Sequence, residues 1–419
     1  MTQIVEKPET THDVYAAIQR TLEEWRERLV AASHDIHDHP ELAFEEHRSA
    51  GIVADLLTEA GFRTEVGVYD QPTAIEAVYG SGSLTVAVCA EYDALPGVGH
   101  ACGHNIIATA GVGTAIALAA LADELDLTVK LLGTPAEEVG GGKALMLEAG
   151  AWEDATVSVM VHPGPSFTMR TRGAAGQGRD RFRVTFNGLA SHAAAAPQVG
   201  INAGNAATIL HVALGLLRQH VPDGVRLGAV TLSGGDVSNI IPAQAVLEGE
   251  VRSSDAEVQR DLKTKFLACV EGAAIATGCT YDVTPVDPVY QPIVQHEFLA
   301  DAYDEAMERL GRTVVERPAN AGGGSTDMGN VSQVVPTIHP MIAVLGSQGM
   351  PHTAEFASET DSAGADEAIV AGAYGLACAV ADLASDPIAR DEVLEAQRRR
   401  PAGATRVPAF PSADQGAKA

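Results

Sequence analysis

Between Val14 and Val30 apolar residues recur every three or four positions among many charges, which predicts an amphipathic helix with a solvated outer face. A second helix is expected from about Glu45 to Ala60, closed by Gly61 as a C-cap. Short β-rich runs follow at Ala74–Tyr79, Leu84–Cys89, Thr128–Leu132 and Thr156–Val161, with helical stretches at Ile106–Leu121 and Gly142–Leu147 between them. This alternation predicts an α/β domain: a mixed, largely parallel sheet with flanking helices.

The texture changes near residue 170. Thr171–Arg179, rich in Gly, Ala and Arg, predicts a hinge. Beyond it come a half-buried strand at Asp180–Phe186, a helix at Asn202–Gln219, strands at Val225–Leu232 and Ala245–Val251, a helix at Asp255–Ala276 and a strand at Tyr281–Pro285. That β-α-β-β-α-β succession predicts an inserted ferredoxin-like α+β module. After Pro292 the first alternation resumes and ends in a helix at Ser362–Leu383. The expected division is 1–178 and 291–390 for the two halves of the first domain, 179–290 for the insertion, and a disordered Pro- and Arg-rich tail over 391–419.

Composition narrows the partners. The 419 residues carry 55 acidic against 28 basic side chains, a net charge of -27, so neither nucleic acid nor an anionic membrane is an expected partner. Five cysteines, odd in number and scattered, do not form a disulfide framework, and a reducing, cytoplasmic location is expected. The N-terminus has no basic start followed by an apolar stretch. No run of about 18 apolar residues is expected to cross a membrane, and Ala108–Leu121 reads as a buried helix.

Chemistry collects at the ends of the predicted strands. After Leu84–Cys89 come Glu91, Asp93 and then Cys102 and His104; after Thr128–Leu132 come Glu137 and Glu138; after Thr156–Val161 comes His162; after Met341–Leu345 comes His352. In an open parallel sheet ligands bind beyond the strand C-ends. One rim would therefore receive a thiol, three imidazoles and carboxylates, the donors of Zn²⁺ or Mn²⁺. Five ligands (Cys102, His104, Glu138, His162 and His352) exceed what one catalytic zinc takes, so two cations are expected, with Cys102 able to bridge them and a water between them activated to hydroxide. Neighbouring Glu137 and Glu138 point in different directions on an extended turn, which assigns Glu138 to metal and Glu137 to proton transfer.

Other features are weaker. His34, His37 and His39 mix with Asp35 and Asp38 at a helix end and suit capping or surface roles. The run Val139–Lys143 lacks the first glycine of a phosphate loop, and no G-x-S-x-G elbow occurs. Gly322–Asp327 is expected to form a tight substrate-side loop that includes Gly324 and Ser325.

From His37 to Phe356 the chain resembles the M20 metallopeptidases and amidohydrolases. The likeness is carried by His39-Pro-Glu-Leu42, Glu91-Tyr-Asp-Ala-Leu-Pro96, His100-Ala-Cys-Gly-His-Asn105, Gly133-Thr-Pro-Ala-Glu-Glu138, Ala190-Ser-His192, Asn239-Ile-Ile-Pro242 and Pro351-His352. Within that family Leu95–Asn105 and Gly324–Ser332 resemble the aminobenzoyl-glutamate hydrolases and the aminoacylase-1-like dipeptidases; Asn105 stands where other branches have Asp. The resemblance implies two metals on the five ligands, Glu137 as base and Asp93 orienting the ligands from behind. It also implies that the insertion is a lid and dimerisation domain of a homodimer. His192 would stabilise the oxyanion, across to the neighbouring subunit, while Asn239 and Arg252 help bind substrate, with Arg252 either pairing with the substrate's carboxylate or forming a surface ion pair. The expected reaction is hydrolysis of the amide bond of a small N-acyl or N-aroyl amino acid or dipeptide-like substrate. A dipeptidase or carboxypeptidase would share the mechanism. The rival class is a non-catalytic metal- or ligand-binding subunit of a hetero-oligomer.

Overall fold

The computed structural model describes residues 9–165, 167–317 and 323–410. Gly322 of the expected loop and the end of the expected tail lie outside them. In their described residues, Met1–Ala175, Val294–Ala321 and Asn330–Pro408 form one compact unit, and Gly176–Ile293, Gly322–Gly329 and Ala409–Ala419 another.

The first unit opens with α1 (Glu9–Asp38), where Ile18, Leu22, Leu29 and Ile36 form one buried stripe. Then follow α2 (His47–Glu59), β1 (Arg63–Val66), β2 (Ile75–Gly80), β3 (Leu84–Ala90), α3 (His104–Ala119), β4 (Leu127–Gly133), α4 (Gly142–Ala149), β5 (Val157–Val159), β6 (His162–Pro165) and β7 (Thr168–Met169). Every residue of β3 is buried, as a parallel strand covered on both faces requires. Every residue of α3 is buried too, so this helix has no solvent-exposed face.

The second unit runs β8 (Gly178–Asn187), β9 (Ser191–His192), α5 (Ala203–Leu217), β10 (Arg226–Ser233), β11 (Ile240–Ile241), β12 (Gln244–Ser253), α6 (Ala256–Thr277) and β13 (Thr280–Pro285). Its antiparallel sheet has the order β10-β12-β8-β13, with Val184 of β8 opposite Leu247 on one side and Val283 on the other. Burial alternates strictly along β12 and nearly so along β8. The inward residues meet α5 and α6, and Phe182 packs edge-on against Phe266 at 4.7 Å.

The chain returns through α7 (Glu297–Arg309), β14 (Val314–Val315, parallel to β7), the short α8 (Met328–Ser332), β15 (Thr337–Ile338), β16 (Met341–Val344), α9 (Ala354–Ala357), α10 (Ala363–Ser385) and α11 (Pro387–Arg399). The main sheet of the first unit has the order β1-β2-β4-β3-β5-β15, antiparallel at β1/β2/β4 and parallel from β4 to β15. The fold is a mixed α/β sheet with flanking helices. β16 pairs in parallel with β6 and so brings the approach to His352 beside His162.

α10 is long and apolar enough to cross a membrane by length and composition, but it is mostly buried and packs on α3, α7 and α1 as a core helix. One expectation is corrected. The tail expected from residue 391 is helical as far as Arg399. Asp386 caps α11 by accepting from the N–H groups of Ile388 and Ala389, Pro387 opens it, and Ala389 and Val393 are buried.

Candidate metal centre

β3 ends at Ala90, and the next residues carry two carboxylates, Glu91 and Asp93, into the interior. The chain returns to open α3 at His104, two residues after Cys102. Gly103 between them has φ +75°, and a Cβ there would stand 2.6 Å from Pro163 Cγ, so only glycine makes this turn. Asp93 fixes His104: its Oδ1 lies 2.9 Å from Nδ1, while its Oδ2 accepts from the Glu138 N–H at 3.0 Å. One carboxylate thus ties the β3 end to the β4 end.

The turn after β4 presents Glu137 and Glu138. Ala136 before them is left-handed, φ +59°, and its N–H donates to Glu46 Oε1 at 2.9 Å. Glu46 is fully buried and also accepts from Phe44 N–H and the Thr73 hydroxyl. His162 opens β6 with Nδ1 2.8 Å from the Pro163 carbonyl, an arrangement that protonates Nδ1 and leaves Nε2 as a lone pair. His352 is another left-handed residue, φ +70°, held by its N–H donating to Ala101 O at 2.8 Å. Strain of this kind concentrates at sites that the surrounding structure over-determines.

The five expected ligands come together. Cys102, His104 and His162 bring their donor atoms within 4.8 Å of one another, and so do Cys102, Glu138 and His352. The two trios share the thiol. Cys102 Sγ is 3.8 Å from His162 Nε2, and the Glu138 oxygens are 3.8 Å from His104 Nε2 and from His352 Nε2. Buried atoms here lack hydrogen-bond partners: His104 Nε2, Glu138 Oε1 and Glu91 Oε2. A buried acceptor left unpaired costs about 1–3 kcal/mol, and several facing one another ask for a cation. Thiolate, imidazole and carboxylate together fit Zn²⁺ or Mn²⁺.

Without a cation, the surroundings keep protons on the Cys102 thiol and on His104 that metal binding would displace. Burial pushes the Cys102 thiol well above its usual range, so a bound cation is what would hold it as thiolate. Burial opposes charge on His104, yet Asp93 and Glu91 outweigh it and raise its pKa well above the ordinary value. Burial lowers His162. It also drives His339, whose ring lies 5.6 Å from that of His162, down to about 3.

Glu137 is buried and groups with Glu91 and His104. The remaining expected residues lie in the second unit. His192 is exposed in β9, paired with Ile240, and its Nδ1 accepts from the N–H groups of Ala194 and Ala195. Asn239 is exposed beside it, its carbonyl accepting from Ala193 N–H. Arg252 takes the ion-pair alternative in this structure: Glu250 holds its Nε at 2.6 Å and Nη2 at 3.0 Å, and Nη1 donates to Ser325 Oγ at 3.3 Å. The reason is the strand period, which sets residues 250 and 252 on one face of β12. The Gly324 carbonyl accepts from the N–H of Gln177. Sequence reasoning names Glu91 at the strand end without giving it a role, meets Lys143 only in the rejected phosphate-loop run and passes over Glu46; all three are fully buried, and an acidic or basic residue within an otherwise apolar motif is the available signal.

A fold with donors gathered beyond its parallel strands and two trios sharing a thiol defines a metallohydrolase-like centre. The family model described as Peptidase family M20/M25/M40 matches residues 87–381, and the chain belongs to that family. It is 37% identical over 396 residues to the Xaa-Arg dipeptidase of Mus musculus, covering 90% of each chain. To one subunit of the p-aminobenzoyl-glutamate hydrolase of Escherichia coli (strain K12) it is 30% identical over 319 residues, covering 71% of this chain and 66% of that protein. Its fold matches a Bacillus subtilis protein described as a dinuclear metal binding peptidase from the M20 family, with TM-score 0.62, 24% identity and coverage of 84% of this chain and 98% of that one.

Proposed function

We propose that this chain is a dinuclear metal-dependent amidohydrolase that cleaves the amide bond of a small N-acyl or N-aroyl amino acid, or of a dipeptide-like substrate with a free carboxylate. The observation that carries the reading is the pair of ligand trios sharing Cys102. Cys102, His104 and His162 would hold one zinc or manganese ion, and Cys102, Glu138 and His352 the other. Such ions supply positive charge that polarises the scissile carbonyl and lowers the pKa of water.

The chain's own residues do the rest. Asp93 accepts the Nδ1 proton of His104, and Pro163 O that of His162, so both Nε2 lone pairs face the centre. Glu137 takes the proton of the attacking water and delivers it to the leaving nitrogen. The second unit acts as lid and dimerisation module of a homodimer, in which His192 of a second copy donates to the developing oxyanion and Asn239 contacts substrate. Gly324 and Ser325 belong to the substrate-side loop. With Arg252 held by Glu250, the substrate carboxylate needs another receptor or a shift of that pair. The scattered free cysteines support a cytoplasmic setting.

The relatives named as dipeptidase and as aminobenzoyl-glutamate hydrolase set the substrate classes to try. Purified chain reloaded with Zn²⁺ or Mn²⁺ is offered dipeptides with basic C-terminal residues, p-aminobenzoyl-glutamate and N-acyl amino acids. Release of a free amino acid from one class is expected. Binding without turnover across the panel would replace the reading with a non-catalytic, ligand-binding role.

A further inference from the structure

The chain enters the second unit at Gly176, leaves it after Ile293, and returns to it at Gly322–Gly329 and again at Ala409. Within that unit backbone contacts tie these passages together. Arg179 and Tyr290 exchange both N–H···O bonds, each at 2.8 Å. The N–H of Gln177 donates to Gly324 O at 3.0 Å, and a Cβ on Gly329 would stand 1.9 Å from the Gln291 carbonyl oxygen, so this return packs directly on the exit segment. Successive amides of an extended segment point to opposite sides. The Tyr290 amide faces Arg179, so that of Val289 faces away, and there Ala409 O accepts from it at 3.2 Å. The buried Ala409 thus covers the edge of the exit segment that Arg179 leaves open.

The segment that delivers Ala409 is anchored in the first unit. Beyond α11, Arg400 Nη1 donates to Ala155 O at 2.9 Å, and Thr405 is buried. Arg406 holds Glu153 through Nε at 2.6 Å and Nη2 at 3.0 Å, a bidentate pair. Its guanidinium lies against Gly150, where a Cβ would stand 2.7 Å from Nη2. Only Val407 and Pro408 separate Arg406 from Ala409. Three residue steps reach at most about 11 Å, and the proline ring fixes one φ, so the segment has little slack.

We propose that residues 401–410 form a strap that clamps the paired entry and exit segments of the inserted unit at Arg179 and Tyr290, and that releasing the strap lets this pairing open. Opening the pair then requires letting go at Ala409 as well, so a segment far along the sequence governs the hinge expected near residue 179. None of the expected metal ligands lies in these segments, and the proposal stands apart from the amidohydrolase reading.

Hydrogen exchange, read residue by residue on the full chain and its variants, tests the strap. One variant ends the chain at Arg400; a second, Arg406→Glu in the full chain, releases the anchor by charge repulsion; a third adds Glu153→Arg to the second and restores an ion pair. The Val289 amide loses its acceptor in the truncated chain and decides nothing. The amides of Arg179 and Tyr290 keep each other as partners in every variant, so they report the clamp. They are expected to exchange about 10–100-fold faster in the truncated chain and about 3–10-fold faster in Arg406→Glu, and to return toward wild type in the double variant, while the amides of β3 stay as slow as in wild type. Unchanged exchange at Arg179 and Tyr290 in either the truncated chain or Arg406→Glu would overturn the proposal and leave the segment a passive tail. Acceleration that also reaches β3, or that the double variant fails to reverse, would overturn it too, since it would show general loosening in place of a clamp.

Discussion

The N–H of Ala136 donates to the carboxylate of Glu46 at 2.9 Å, and this bond holds a left-handed alanine directly before Glu137 and Glu138. Glu46 sits just ahead of α2, and the same Oε1 accepts from Phe44 N–H, where φ is +64°. One buried carboxylate therefore stabilises two strained residues and, through Ala136, sets the direction in which the Glu-Glu pair leaves β4. Glu46→Ala should cost roughly 3 kcal/mol or more in urea unfolding, since it strands the N–H groups of Phe44 and Ala136 and the Thr73 hydroxyl. Adding Ala136→Gly should restore about 0.5–1 kcal/mol, because glycine enters the left-handed region without a Cβ penalty. No recovery in the double variant would show that the strain at Ala136 is not what Glu46 relieves.

The proposed function gives Glu137 the proton and Glu138 the metal, so their variants should separate. Glu137→Gln is expected to lower kcat by about 10²–10⁴ while metal content, measured by elemental analysis, stays at the wild-type level. Glu138→Gln should lose metal as well as rate. Equal metal loss in the two variants would contradict the division of roles.

Acid should destabilise the chain partly through His296, the N-cap of α7, whose side chain accepts from the Leu299 N–H. Burial lowers its pKa below the ordinary value, so the folded chain binds the proton less readily than the unfolded one. Its contribution is complete above the unfolded pKa, about 6.5, and is lost as pH falls from there toward the folded pKa. His296→Asn keeps a capping acceptor and removes the titration. Between pH 7 and 5 wild type should lose about 1 kcal/mol more than the variant in urea unfolding, and parallel losses would exclude His296 as a source of acid sensitivity.

Much of this architecture is legible in the sequence because its signals are local. Strands β3 and β4 are short apolar runs bounded by turn residues, and the rule that parallel sheets bind ligands at their strand C-ends turns Cys102, His104, Glu138, His162 and His352 into one candidate site from the sequence alone. What escapes is the part set by tertiary context. β1, Arg-Thr-Glu-Val at the sheet edge, carries no apolar alternation, since an edge strand buries little. Residues 391–399 look like a polar tail until Asp386 and Pro387 are seen starting a helix that docks Ala389 and Val393. Glu91 is legible at the end of β3, but its buried ion pair with Lys143 of α4 is not, because the partner comes from a distant segment. Arg252 looks free for substrate until Glu250, two residues back on the same strand face, is seen as its partner.

The central claim is that the amide-cleaving power of this chain depends on cations held by the Cys102-linked trios. It is tested most directly by the rate of amide hydrolysis measured on one preparation before chelation, after chelation and after titration back with Zn²⁺ or Mn²⁺, beside a Cys102→Ala variant treated alike. Activity should vanish on chelation, return as metal is added and reach its plateau at two equivalents, with Cys102→Ala failing to recover. Full activity in the metal-free chain, or normal recovery without the Cys102 sulfur, would contradict the account.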